Sequence, residues 1–245
     1  MSNNASFTLR YAARTDVGLR RQQNEDSVYA GPRLLAVADG MGGHSHGEVA
    51  SATVIAALSV LDGEPPSGDL LGGMEAAITE AVRRLKDMAE RDPKLTGMGT
   101  TLTAMLWDGG RFALAHIGDS RAYMLREGCL YQITRDHTLV QSLVDDGQMT
   151  AEQAAAHPRR SLLMRALGGS GSVEPDLSLR EARPGDRYLI CSDGLSGVVG
   201  PQALHETLTS FDDLGEAANR LIVLAKDGGG PDNISCVVCE VGAGA

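Results

Sequence analysis

The chain has 245 residues, 42% of them apolar and 22% charged, enough apolar surface for a full core and no sign of a disordered composition. A net charge of −10 argues against a nucleic-acid or anionic-membrane surface, because those need clustered Lys and Arg to neutralise phosphates. No run of about 18 apolar residues could span a bilayer, and the start, Met1-Ser-Asn-Asn-Ala-Ser, lacks the basic and apolar segments of a signal peptide. A cytoplasmic monomer is expected, with Cys129, Cys191, Cys236 and Cys239 as small buried hydrophobes and not a disulfide framework.

In chain order, β-branched or alternating apolar runs predict strands over 7–13, 27–30 and 34–38, and 3.6-residue periodicity predicts helices over 48–61 and 74–91. The stretch 63–68, with Pro65 and Pro66, is a helix-to-helix loop. Strands follow at 101–107, 112–117, 122–126 and 130–133, separated by turns such as Asp108-Gly109-Gly110, a meander and not a β-α-β alternation. Weak helical patterns at 139–146 and 151–156 lie in a segment, 137–172, that reads as a mobile appendage. The chain then returns to strands at 177–180 and 187–192, helices at 203–209 and 214–225, and a last strand at 234–241 before a short tail over 241–245. Paired helices between blocks of antiparallel strands define an α+β class in one domain, a four-layer αββα arrangement with a central antiparallel β-sandwich flanked by helix pairs.

Four apolar runs begin or end at an aspartate beside a turn: Asp39-Gly40, Asp119-Ser120, Asp193-Gly194 and Asp232-Asn233. Any one of them is an ordinary turn residue. Together they are unusual, because a carboxylate leaving a strongly apolar strand is costly to desolvate without a positive partner. With few basic residues nearby, a hard divalent cation supplies the charge; Mg²⁺ or Mn²⁺ suits carboxylates, carbonyls and water, whereas zinc prefers His or Cys. Four carboxylates exceed the needs of one small ion, so two metals about 4 Å apart, bridged by one carboxylate, are the economical arrangement. Asp39 is the candidate bridge, with Gly40 turning the chain sharply so that its carbonyl faces a metal. Upstream, Arg21 reads as a fork for phosphate oxygens, and Glu25 and Asp26 as groups that orient metal-bound waters, or equally as a solvated turn.

The motifs Arg21-x-x-Asn24-Glu25-Asp26, Val37-Ala38-Asp39-Gly40-Met41-Gly42-Gly43-His44, Gly97-Met98-Gly99-Thr100-Thr101, Ile117-Gly118-Asp119-Ser120-Arg121, Ser192-Asp193-Gly194-Leu195 and Gly230-Pro231-Asp232-Asn233 occur in order. Together they resemble the PPM-type, or type 2C, metal-dependent protein serine/threonine phosphatases of bacteria, over about residues 7–240. The resemblance implies a binuclear Mn²⁺/Mg²⁺ site at one end of a two-sheet sandwich. Asp39 would bridge the ions, the Gly40 carbonyl, Asp193 and Asp232 would complete their shells, and Asn233 would support them. Asp119 with Asp193 would hold a weaker third ion, touched by Ser161. Segment 137–172 would be the family's variable flap. The implied substrates are phosphorylated proteins, Ser/Thr kinases and their targets among them, and some relatives continue into a linker and membrane anchor. One departure is Met41, where eukaryotic members carry a histidine proposed as the leaving-group acid; His44 is the nearest histidine in sequence to Asp39.

Three other readings compete. Gly43-His44-Ser45-His46-Gly47 has the spacing of a serine-hydrolase elbow, but an antiparallel sheet is the wrong setting for it. Cys129 and Arg135 have the spacing of a cysteine phosphatase, yet bulky strand formers lie between them where a phosphate cradle needs exposed backbone N–H groups. A module that only binds phosphoproteins would be expected to have lost a metal aspartate, and all four are present.

Overall fold

The computed structural model describes residues 7–42, 46–63, 68–168 and 174–244. Alternation in the first strands sets the layering. In β3 (Leu34–Met41), Leu34, Ala36 and Ala38 face a helix layer while Leu35 and Val37 face the opposing sheet, which is why this run is apolar on both faces. It pairs with β2 (Asp26–Ala30) on one side and with β4 (Gly99–Thr100) and β5 (Leu102–Trp107) on the other. With β6 (Arg111–Ile117), β9 (Leu167–Gly168) and β10 (Asp176–Glu181) these make a sheet in the order β10-β6-β5-β3-β4-β9, with β2 on β3. The second sheet runs β1 (Thr8–Asp16), β12 (Ile234–Gly242), β11 (Arg187–Cys191), β7 (Arg121–Arg126), β8 (Cys129–Gln132). Every pairing is antiparallel.

Between the sheets lies an apolar layer of Leu35, Val37, Met105, Phe112, Tyr188, Ile190, Val237 and Cys239. Phe112 packs against Trp107 in a tilted pair at 4.5 Å and meets the edge of Tyr188 at 5.0 Å, so the largest side chains of this layer pack against one another. Outside the first sheet, α1 (Gly47–Leu58) and α2 (Leu70–Arg91) bury Val54, Leu58, Met74 and Leu85. Outside the second, α6 (Pro201–Ser210) and α7 (Leu214–Asp227) bury Leu204, Leu208, Leu221 and Ala225. Asp69 and Asp213 cap α2 and α7 by accepting from Gly72 and Glu216 backbone N–H groups, each worth about 1 kcal/mol. The four-layer αββα expectation holds. Among the described residues no helix is long and apolar enough to cross a membrane.

Several local expectations change. β3 runs on through Met41 and does not end at Asp39. Helix α2 begins four residues before the predicted start because Asp69 caps it there. Residues 59–62 form a 3₁₀ turn and not the end of α1, and the rest of the expected Pro-containing loop, 64–67, lies outside the described residues. The last strand is found as expected and runs one residue further, β12 ending at Gly242 opposite Thr8. Cys236 and Cys239 do point to opposite sides of β12, into different apolar layers, but Cys129 is exposed and not buried. The expected appendage is tied down at both ends: it contains α3 (Leu139–Asp145) and α4 (Ala151–Ala155), and β9 pairs with β4. Two-residue strands such as β4 and β9 are too short to leave a periodic signal.

Candidate metal centre

Antiparallel pairing brings the four aspartates to one end of the sandwich. Asp39 sits near the end of β3, directly opposite Asp26 at the start of β2. Asp119 follows the end of β6, Asp193 follows β11 as the first residue of α5 (Asp193–Ser196), and Asp232 precedes β12. The Asp39 backbone is pinned: its N–H donates to Thr101 Oγ1 at 3.0 Å, and its carbonyl accepts from Thr101 N–H and Thr100 Oγ1, both at 2.8 Å. Thr101 Oγ1 also meets Ser120 Oγ at 2.8 Å, tying the Asp39 strand to the Asp119 loop.

Gly40 is a glycine for a reason other than the expected sharp turn. It lies within β3, and a Cβ there would sit 2.2 Å from the Gly47 carbonyl oxygen and 2.5 Å from that of Glu25. The strand end is wedged against the start of α1. Gly118 has φ +112°, and a Cβ there would meet Thr101 Cγ2 at 2.5 Å, so both conformation and space demand glycine beside Asp119.

Asp26 is 8% exposed; its Oδ2 accepts from Ser192 Oγ at 2.8 Å, while its Oδ1 is buried with no partner. Asn233 braces the loop before β2, accepting from the Glu25 N–H at 2.8 Å and donating to the Val17 and Gln23 carbonyls. Asp232 accepts from Arg21 Nη2 at 2.8 Å and from the Asn233 N–H. Arg21 is half exposed, at the rim of the carboxylate group.

The electrostatics follow from this crowding. Burial, followed by the charges of Asp26, Asp193, Asp119 and Asp232, pushes Asp39 well above the usual carboxylate range. Burial and then Asp193 and Asp136 push Asp119 up to about 8. Burial pushes Asp26 up to about 6, against the neighbouring Ser235 and the hydrogen bond from Ser192 and with the charges of Asp193 and Asp232 adding to the rise. Asp193 is raised by burial and by Asp232, and is relieved by a hydrogen bond with Asp39 and by Arg21 and Arg121. Such a group is starved of positive charge. Its donors are all oxygen, which fits a hard divalent cation and not zinc. Among the described residues no three His, Cys, Asp or Glu side chains already close on one point as a finished cage; the fit rests on the orphaned Asp26 oxygen and the mutual repulsion.

Asp119, Asp193, Asp232 and the exposed Ser161 line one cleft of about 540 Å³, walled on the flap side by Val140, Val144 and Ala154. His44 and Ser45 lie outside the described residues, as do 169–173. Sequence reasoning assigned no role to Thr101, Ser192, Arg121 or Asp136. Arg121 forks onto Asp136 at 2.7–3.1 Å beside Asp119. Thr101, Arg121 and Ser192 stand in the motifs quoted above, at the ends of apolar strands, whereas Asp136 lies in the loop between β8 and α3 with no local signal.

An αββα sandwich with acid residues gathered at one end of its strands is the setting of a known enzyme class. The sequence profile of protein phosphatase 2C matches residues 17–221, and the chain belongs to that family. Among its relatives, the serine/threonine protein phosphatase PstP of Mycobacterium tuberculosis is 58% identical over 236 residues, covering 96% of this chain. The chain spans 46% of that relative's length. The serine/threonine phosphatase stp of Listeria monocytogenes is 38% identical, with 93% of this chain and 94% of that protein aligned. Among solved structures, the catalytic domain of PstP in complex with two manganese ions superposes with a TM-score of 0.91 at 56% identity, covering 96% of this chain and 99% of that one.

Proposed function

We propose that residues 1–245 form one catalytic domain that hydrolyses phosphoserine and phosphothreonine in proteins with the help of two Mn²⁺ or Mg²⁺ ions. Asp39 is the bridging ligand, and the Gly40 carbonyl, Asp193 and Asp232 complete the set; Asp119 and Ser161 serve a weaker third ion. The observation that carries this reading is the set of raised carboxylates around Asp39, next to the unpartnered Asp26 oxygen. The manganese pair in the similar PstP domain supports it.

When bound, the ions supply Lewis acidity, acidifying a water as nucleophile and neutralising charge at the phosphoryl group. The chain's own residues do the rest. Arg21, at the rim beside Asp232, offers a planar fork of donors to the phosphate oxygens and orients phosphorus for in-line attack. Asp26, Glu25 and Asn233 hold the β2 entry loop and Asp39 at a fixed separation. The cleft on the flap side receives the polypeptide around the phosphorylated residue. Natural partners are phosphorylated proteins, Ser/Thr kinases among them, so the activity opposes kinase signalling. Free, buried Cys191, Cys236 and Cys239 support a reducing, cytoplasmic setting.

The test is metal dependence. Excess EDTA should abolish hydrolysis of p-nitrophenyl phosphate and of a phosphothreonine peptide, and Mn²⁺ or Mg²⁺ should restore both. Full activity in EDTA would sink the proposal.

A further inference from the structure

Among the buried polar side chains that the metal-site reading leaves unused is that of His137, at the entrance to the flap. Its four polar groups are all engaged, two of them with Gly118 and the others with Met164 and Asp176. The backbone N–H donates to the Gly118 carbonyl at 2.7 Å, and the carbonyl accepts from the Met164 N–H at 2.8 Å, where the flap returns. Ring Nδ1 lies 3.2 Å from the Gly118 N–H, immediately before Asp119, and Nε2 lies 3.1 Å from Asp176 Oδ2 at the start of β10. Because the Gly118 N–H can only donate, Nδ1 is the acceptor and Nε2 carries the proton towards Asp176. Burial also lowers the affinity of the ring for a second proton.

The neighbours extend the same joint. Asp176 pairs with Arg165, on the returning limb of the flap, at 2.9 Å, and stands opposite His116 across the β10–β6 pair. The His116 ring stacks 4.7 Å from that of His137 and bonds the Arg135 carbonyl through Nε2. Its Nδ1 meets Thr103 Oγ1 at 3.0 Å, and Thr103 Oγ1 lies 2.8 Å from the Ser120 carbonyl. Gly118, on one side of Asp119, is thus tied through His137 to the returning limb of the flap, and Ser120, on the other side, through Thr103 and the His116 ring to Arg135, just before the flap begins.

We infer that His137 is a positioning residue that locks the flap to the Gly118–Asp119 loop, so that the placement of the flap and of the Asp119 carboxylate are set together. Two consequences follow, the second resting on the proposed metal site. Removing the ring loosens the flap. It also weakens the coupling of the flap to cation binding at Asp119, because linkage is reciprocal: a cation that orders the Asp119 loop orders the flap through this joint, in addition to the β4–β9 pair and the Ser161 side of the cleft.

The experiment compares the full chain with His137→Leu, which removes both ring bonds, and His137→Asn, which keeps an acceptor near Gly118. Backbone amide exchange over 139–168 is measured with and without Mn²⁺, and Mn²⁺ binding is followed by the paramagnetic resonance of the free ion. In the wild type, Mn²⁺ should slow flap exchange. In His137→Leu, flap exchange should rise, Mn²⁺ should slow it less than in the wild type, and the weakest Mn²⁺ class should lose about tenfold or more in affinity, the usual cost of removing a group behind a metal ligand. His137→Asn should recover part of the affinity. Should His137→Leu fail to fold, Asp176→Ala, at a half-exposed carboxylate, decides alone by raising flap exchange. Wild-type exchange and Mn²⁺ dependence in a folded His137→Leu, or wild-type exchange in Asp176→Ala, would overturn the inference. Absence of any Mn²⁺ binding by the wild type would instead refute the metal site and leave the lock to be judged by flap exchange alone.

Discussion

Asp26 gives the sharpest test of the electrostatic account, because its burial costs stability only while its carboxyl is charged. Its folded pKa of about 6 stands against 3.8 for the free side chain. A group raised in this way contributes stability that is intact below pH 3.8 and lost as pH rises through about 6. A rise of that size corresponds to about 3 kcal/mol in the metal-free protein at neutral pH. Asp26→Asn removes that charge and retains an acceptor for Ser192 Oγ. It also places an amide where the unpartnered Oδ1 now sits, at a cost of about 1–2 kcal/mol. The net gain is therefore about 1–2 kcal/mol, or roughly 2–8 °C in melting temperature for a chain of this length. Thermal melts in EDTA from pH 4 to pH 8 should show the variant less stable than wild type by about 1–2 kcal/mol at the acid end, where only the amide cost remains, and more stable above pH 7, the sign changing as Asp26 ionises near pH 6. Saturating Mn²⁺ should reverse the difference above pH 7, because the wild-type carboxylate then faces cations. A pH-independent difference in EDTA, or a variant less stable than wild type at pH 7.5, would refute the reasoning.

For Arg21→Ala, the half-exposed pair with Asp232 predicts little change in stability, since such pairs are worth about 0–1 kcal/mol, but a raised KM for a phosphopeptide; an unchanged KM would remove Arg21 from phosphate binding. Gly194→Ala would put a Cβ 1.9 Å from the Asn233 carbonyl oxygen, forcing α5 away from the Asp232 loop. The urea midpoint should fall by an amount equivalent to about 1–3 kcal/mol together with weaker Mn²⁺ binding, and a wild-type midpoint would show that the contact relaxes freely. His44→Ala should leave the ratio of kcat on a phosphoserine peptide to that on p-nitrophenyl phosphate unchanged. A selective loss on the peptide that vanishes at low pH would instead identify His44 as the leaving-group acid, because only the alkoxide needs a proton.

The parts of this protein legible in the sequence are those whose cause is local. The run Leu34–Ala38 is apolar at every position because both faces are covered, and the carboxylate ending it is conspicuous for the same reason. The helix stripes of 74–91 and 214–225 and the meander after Trp107 are equally readable, because side-chain periodicity within one element needs no knowledge of its partner. Gly40 shows where this stops. A glycine beside an aspartate reads as a turn, yet here it is required by the backbones of Gly47 and Glu25 pressing on a continuing strand, and neither approach leaves a mark in the local pattern. The flap reads as loosely attached because its anchors, His137 and Leu167–Gly168, are single residues and a two-residue strand.

By itself, the sequence determined the layer architecture and the identity of the acid residues that leave apolar strands, because burial pattern and desolvation cost are properties of each segment alone. Tertiary structure decided which groups hold those acids in place. Ser192 reaches Asp26 across 166 positions and Asn233 reaches Glu25 across 208. Thr101 joins the Asp39 strand to the Asp119 loop, and His137 joins that loop to the flap. Each is a single hydrogen-bonding side chain whose partner is chosen by strand register and chain path, so its role exists only once the sheets have paired.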